Sequence, residues 1–414
     1  MAHGWQFLTA EDREAILQGI RDGRALGGPY HLEFDWTDRC NVHCFFCNND
    51  FRNRAGQELP VELIQRAVDE AIPRGLKSLR LSGGGEPLFH TKIRTLLDLI
   101  EARGLIVENL TTNGVLINED MARRLVRMKC REIIVSLNYA DPKSYAEAMQ
   151  TAPRNWERVR QGLDFLRQER QAAGPGAGLR VVVQFFVSNG TQFDIPRMVE
   201  IGKSHQADLI CLRNLYGVDP SHRIPEADKE RVKDDLRRVL LEDSDRVEPH
   251  LHDEGLDEFY GRVMREIWAQ RGLPTEPPPP ANIEYCYIGF HSLAIRGGGE
   301  VFPCCMMMLD EKARALGNLH RNSLLEIWAG PQCRRFRREM ERVQILGAGL
   351  DFPRQGFRYI YPVCATHYGC ALSCNLCDAE FFRRAEEVNQ AKRRSLRGRF
   401  LRARQRLPAN LWGK

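Results

Sequence analysis

Six short apolar or β-branched runs punctuate the first half of this 414-residue chain: His31–Trp36, Leu79–Ser82, Val107–Thr112, Ile133–Leu137, Arg180–Val187 and Asp208–Arg213. Longer charged segments separate them, starting near Pro60, Thr91, Asn118, Asn155 and Asp194. Within these, Leu96, Leu97 and Ile100, and later Leu125 and Val126, recur at helical spacing. Strand–helix alternation predicts a parallel sheet with right-handed crossovers. Such sheets carry their chemistry in loops at the C-terminal ends of the strands. Six repeats fit a doubly wound sheet or an incomplete barrel, and periodicity does not choose between them.

After Tyr216 the repeat stops. Glu226–Leu241 and Asp257–Gln270 have helical patterning, and Pro277–Pro280 is a stiff spacer that neither a helix nor a central strand accepts. A hairpin follows, Leu293–Arg296 and Glu300–Pro303 about the turn Gly297-Gly298-Gly299, then a short helix around Leu324–Trp328. The end of the chain is basic: between Arg383 and Arg406, ten Lys or Arg side chains stand against Glu386 and Glu387. The overall net charge is only +5, so the body predicts no nucleic-acid groove. No stretch approaches the roughly 18 apolar residues of a membrane span, and Met1–Glu11 has no secretory pattern. The expectation is a cytoplasmic protein without membrane or nucleic-acid partners.

Thirteen cysteines in a reducing compartment argue for metal binding or catalysis rather than disulfides. Ten form three groups: Cys40/Cys44/Cys47, Cys286/Cys304/Cys305 and Cys364/Cys370/Cys374/Cys377. The first, Cys40-x3-Cys44-x-Phe46-Cys47, follows directly on the first strand. Three thiolates on one loop suit a [4Fe–4S] cluster with one iron left open. A structural zinc site would need a fourth ligand, such as His43.

This loop resembles that of the radical S-adenosylmethionine (SAM) superfamily. Ser82-Gly83-Gly84-Gly85-Glu86-Pro87, Thr112-Asn113-Gly114 and Ser136-Leu137-Asn138 follow the second, third and fourth strands in that family's order. The resemblance implies an α/β fold, an incomplete (β/α)6 TIM-like barrel. It also implies that Cys40, Cys44 and Cys47 hold a [4Fe–4S] cluster whose free iron chelates SAM, giving a 5′-deoxyadenosyl radical. The SAM-binding set is then Phe46, Gly84, Gly85, Glu86, Asn113, Ser136 and Asn138. Many relatives carry an Arg after the fourth strand for the SAM carboxylate. Met149 stands near that position, with Arg154 close by, and Arg213 is another possible partner.

Cys286-x12-Gly299-x4-Cys304, with Gly317-Asn318-Leu319 and Ile327-Trp328, resembles a SPASM domain, and Cys374-x2-Cys377 resembles its shorter twitch variant. The resemblance implies one auxiliary cluster on Cys286, Cys304, Cys374 and Cys377. Cys364 and Cys370 belong to an incomplete second one, to be completed by Cys305, Cys333, Tyr361 or His367. The expected organisation is an N-terminal extension (1–30), the partial barrel (31–243), a linker with a helix (244–282), the SPASM/twitch domain (283–382) and a basic tail (383–414).

The family's chemistry is hydrogen abstraction from an unactivated carbon. The cluster loop begins at Cys40, which leaves no room before it for a leader-peptide-binding domain. The expected substrate is therefore a carbohydrate-like small molecule, undergoing epimerisation or oxidation, with an electron donor such as flavodoxin or ferredoxin. Cys211, two residues before Arg213 on the sixth strand, is the candidate hydrogen donor; by strand alternation the two share a face. A ribosomal-peptide maturase and a non-enzymatic iron–sulfur carrier are the alternatives.

Overall fold

The computed structural model describes residues 4–47, 49, 56–176, 178–214, 220–251, 254–272, 287–309 and 313–346, and most of 380–394. Its framework is one mixed sheet in the order β10-β9-β8-β1-β2-β3-β4-β5-β6-β7. The strands β1 (His31–Asp35), β2 (Ser78–Leu81), β3 (Ile106–Thr112), β4 (Glu132–Asn138), β5 (Arg180–Phe186) and β6 (Leu209–Arg213) are parallel neighbours. Each matches an expected run to within one or two residues. Helices alternate with them: α1 (Ala10–Asp22), α2 (Val61–Ala71), α3 (Ile93–Ala102), α4 (Glu119–Arg127), α5 (Pro142–Ala148), α6 (Arg154–Ala173), α7 (Ile195–Ser204), α8 (Lys229–Asp243) and α9 (Glu254–Gln270).

Strand alternation sorts the side chains. Leu32, Phe34, Leu79, Leu81, Val135, Val183, Ile210 and Leu212 are buried in the main hydrophobic core. Their neighbours Glu33, Asp35, Arg80, Ser82, Ser136, Gln184, Cys211 and Arg213 take the other face, the lumen of the curved sheet. Burying a Leu or Val side chain contributes about 1.5–3 kcal/mol, so this inside-out division fixes the register.

The sheet extends beyond the six expected strands at both edges. A seventh parallel strand, β7 (Val247–His250), pairs with β6, within the segment that the sequence assigns to a linker. Its four residues include Pro249 and no apolar run, which an edge strand tolerates and a central one does not. At the other edge, β8 (Ser292–Arg296) lies parallel to β1 and pairs with β9 (Glu300–Phe302) as the expected hairpin. The short β10 (Gly317–Asn318) closes that edge, followed by α11 (Leu324–Trp328) and α12 (Pro331–Leu346), with α10 (Cys305–Leu309) after β9. Among the described residues nothing pairs β7 with β10, so the barrel is partial.

The described residues of 380–394, running from the end of the expected SPASM/twitch segment into the basic tail, are helical and pack on α1. Phe381 and Ala385 join Trp5, Leu8, Ile16, Leu17 and Ile20 in a second apolar cluster, and Trp5 and Phe381 rings lie 5.3 Å apart. Lys392 Nζ donates to the Ile20 carbonyl at 3.0 Å, and Arg384 pairs with Glu14 at 2.6 Å across an exposed surface. Phe381→Ala should therefore cost about 3–5 kcal/mol, read as a lower denaturation midpoint. Arg384→Ala should cost less than about 1 kcal/mol. Equal, small effects would show that the helix does not depend on the apolar contact.

Candidate active site

Four loops meet at the C-terminal ends of β1–β4. The cysteine loop is strapped down by backbone bonds to the end of α5: His43 N donates to Met149 O at 3.0 Å and Phe45 N to Ala148 O at 3.1 Å. The helix α5 itself is started by Asp141, whose carboxylate accepts from Lys143 N and Ser144 N at 2.9 Å each, with Pro142 at the first helical position. Met149 Sδ accepts from Cys44 Sγ at 3.3 Å and from Asn138 Nδ2 at 3.5 Å, so the side chain where relatives place an Arg packs against the cysteine loop.

The loop after β2 is clamped from both sides. Gly85 N donates to Thr37 O at 2.8 Å and Glu86 N to Arg39 O at 2.9 Å. A Cβ on Gly85 would stand 2.0 Å from the Arg39 carbonyl oxygen, so the glycine lets this loop touch the chain entering Cys40. The carboxylate of Glu86, one of the expected SAM-binding residues, is buried and accepts from Thr112 Oγ1 at 2.6 Å, Asn113 N at 2.7 Å and Leu88 N at 3.1 Å. Burial pushes this carboxyl up to about 7 in spite of those three bonds, which favour the charge. Asn113 likewise turns to the cysteine loop, donating to Asn41 Oδ1 at 2.7 Å and to Cys40 Sγ at 3.8 Å.

The other expected residues line the space above. Asn138 ends β4 at φ 64°, and its Oδ1 is buried without a partner among the described residues. Phe46 packs edge-on against Phe186 at 4.8 Å, and Ser136 lies on the lumen face level with Gln184. Gly84 sits in the bend of the loop after β2. Arg213 lies on the lumen face of β6, with Nε buried and unpartnered.

The donor set fits a cluster. Burial, then the charges of Glu86 and Cys47, push the Cys40 thiol up to about 11, and burial with Cys40 and Cys47 pushes Cys44 up as well. Three thiolates here are costly unless a cation shares their charge. Among the described residues no three His, Cys, Asp or Glu side chains converge on one ion, whereas a cubane takes each thiolate at a separate iron. The unpartnered Asn138 oxygen is an acceptor that a SAM hydroxyl or ammonium would satisfy.

Of the auxiliary set, only Cys304 is among the described residues; it is half-buried after β9. Cys286, Cys364, Cys370, Cys374 and Cys377 lie outside them, as do Tyr361 and His367. Cys333 is fully buried in the core, and Cys305 lies 3.9 Å from Arg80 Nη1 in the lumen.

The sequence profile of the radical SAM superfamily matches residues 35–173, and that of an iron–sulfur cluster-binding domain, SPASM, matches residues 286–346. A probable GTP 3′,8-cyclase of Methanosarcina acetivorans is 33% identical over 308 residues, covering 72% of this chain and 84% of that one. The chain belongs to the radical SAM superfamily. SuiB of Streptococcus suis bound to S-adenosylmethionine has a similar fold, with a TM-score of 0.54, 18% identity and coverage of 78% of this chain and 71% of SuiB. The structure of anSMEcpe with bound AdoMet and a Cp18Cys peptide aligns with a TM-score of 0.51, at 14% identity and coverage of 88% and 99%. The cofactors of this radical SAM enzyme are accordingly a [4Fe–4S] cluster and SAM, with auxiliary iron–sulfur in the SPASM region. No helix among the described residues is long and apolar enough to cross a membrane.

Gly85→Ala should abolish iron loading of the cysteine loop, because the new methyl group displaces the backbone leading to Cys40. Iron per chain after anaerobic reconstitution should fall by about four. Cys40, Cys44 and Cys47 changed together to Ala should give the same deficit with the fold intact by circular dichroism. Full iron in the triple variant would move the cluster elsewhere.

Proposed function

We propose that this radical SAM enzyme epimerises a carbon bearing a hydroxyl group in a polyhydroxylated, carbohydrate-like substrate. When bound, the cluster and SAM supply the radical that removes the hydrogen. The chain's own contribution is to hold the substrate in the lumen and return a hydrogen to the opposite face. The observation that carries this reading is Cys211: Ile210 and Leu212 go to the core, while Cys211 shares the lumen face with Arg213. A thiol there meets a substrate radical, and an S–H bond is weaker than the C–H bond it would form. The surrounding lumen side chains, Gln184, Arg213, Glu248 and His250, are hydrogen-bonding groups suited to a polyol. Two-electron oxidation would be the same abstraction followed by loss of the hydroxyl proton and of one electron, which an auxiliary iron–sulfur site would accept. The reductant is a flavodoxin or ferredoxin.

A second reading is a purine nucleotide substrate, favoured by the name GTP 3′,8-cyclase carried by the relative from Methanosarcina acetivorans. A third is a peptide, as in the SuiB structure bound to precursor peptide SuiA. A panel of free and nucleotide-linked hexoses, GTP and short peptides, scored for stimulated 5′-deoxyadenosine formation, separates them. With the active compound, Cys211→Ala should still form 5′-deoxyadenosine but make at least about 100-fold less inverted product. In deuterated water the wild-type product should carry one deuterium at the inverted carbon. Normal inversion by the alanine variant, or a product free of solvent deuterium, defeats the epimerase reading.

A further inference from the structure

Four side chains gather on the lumen wall at the β6–β7 edge. Across that ladder Cys211 is the partner of Glu248, and Arg213 is the partner of His250. The two rungs stand two residues apart, so all four side chains share one face. Glu248 Oε1 and His250 Nε2 are 2.8 Å apart. Arg213, two residues along the same face, lies near enough to pull the Cys211 thiol down. Cys211 is only 5% exposed, whereas the side chains of Glu248 and His250 are both open to solvent, at 43% and 38%.

A hydrogen-donating thiol has to be restored after each use. When Cys211 gives its hydrogen atom to a substrate radical, the S–H bond breaks, a C–H bond forms and the sulfur is left one electron and one proton short. A one-electron donor of the flavodoxin or ferredoxin class converts the thiyl radical to a thiolate. A proton must then reach a sulfur that bulk water barely touches.

We propose that His250 and Glu248 are the proton route to Cys211, with Arg213 stabilising the thiolate until the proton arrives. This rests on the hydrogen-donor reading of Cys211. His250, bonded to Glu248 at 2.8 Å, takes a proton from solvent. Glu248 carries it across the rung to the sulfur, which closes the cycle. The electrostatics agree in direction. Burial pushes the Cys211 thiol up and Arg213 pulls it down, while the hydrogen bond from His250 holds the Glu248 carboxyl below its ordinary value. The other groups facing this set are Gln184 on β5, Glu132 on β4 and Tyr260 on α9.

The coupling can be read without substrate. The full-length, cluster-reconstituted chain is treated under argon with methyl methanethiosulfonate between pH 7 and 9.5, and labelling of the Cys211 peptide is followed by mass spectrometry. At pH 8, H250Q should label about threefold more slowly, because the Glu248 carboxylate loses its imidazole partner and opposes the thiolate. E248Q should label about threefold faster, and R213Q about threefold more slowly. The double variant H250Q/E248Q should follow E248Q alone, since His250 acts through Glu248. Profiles that coincide with wild type, or a double variant in which the His250 effect persists, overturn the route. Melting curves and iron content confirm that each variant is folded and loaded. With whichever panel compound is epimerised, H250Q should complete about one turnover per chain and then slow about tenfold. Loss of the first turnover, or an unchanged steady state, also overturns the proposal. If no compound is epimerised the donor reading fails, and the labelling arm still decides whether the four groups are coupled.

Discussion

One buried carboxylate organises the candidate site. Glu86 collects hydrogen bonds from Thr112, Asn113 and Leu88, while its own backbone N–H reaches Arg39. Through these bonds the loop after β2 ties together the turn after β3 and the chain entering Cys40. Leaving a buried donor without its partner costs about 1–3 kcal/mol. Losing Glu86 orphans three donors at once, two of them backbone amides with no freedom to turn toward water. The cysteine loop has no regular secondary structure of its own, so its geometry is borrowed from this tie and from α5. The rise of the Glu86 carboxyl to about 7 records the expense of burying it, which the three bonds offset only in part.

That role explains which parts of the site were legible in the sequence. The spacing of Cys40, Cys44 and Cys47 reads directly, because three thiols on one loop constrain themselves wherever the loop sits. The six core strands read well because each buries an apolar face. The hydrogen bonds that Glu86 and Asn113 make within the protein did not read from the sequence, because a polar residue next to glycines has the same appearance whether it faces inward or toward a cofactor. Only the three-dimensional neighbourhood separates the two. β7 was missed for a different reason: an edge strand needs little apolar surface and accepts Pro249, so neither signal that marks a strand was present. With it went Glu248 and His250, whose relation to Cys211 exists only through the ladder.

The lumen divides into two walls with different tasks. On β1 and β2 the polar groups pair with one another: Ser82 Oγ lies 2.8 Å from Glu33 and 3.0 Å from Asp35, and Arg80 lies 3.3 Å from Glu33. Burial pushes the Glu33 carboxyl up, with Arg80 opposing it. This is a rigid, prepaid environment of the kind that fixes a cofactor. On β6–β7, at the open edge, Arg213 Nε is buried without a partner, and the side chains of Glu248 and His250 are more than a third exposed. Incomplete pairing near an opening is what a substrate-facing wall requires, since its donors and acceptors must be available when the ligand arrives.

The auxiliary region is joined to the first wall by secondary structure rather than by a hinge. β8 pairs with all five residues of β1, His31–Asp35, the strand that feeds the cysteine loop. From β8 the hairpin leads directly to Cys304 and then to Cys305, whose sulfur lies beside Arg80 in the lumen. Swinging this region away from the barrel would break a five-residue ladder and expose Leu293 and Ile295, each at most 1% accessible. The cost of such a movement is several kcal/mol for the two side chains alone. Cys304 is therefore held at a fixed offset from the cysteine loop. Any group that Cys304 helps to hold would keep that separation from the cysteine loop, as electron transfer between the two would require.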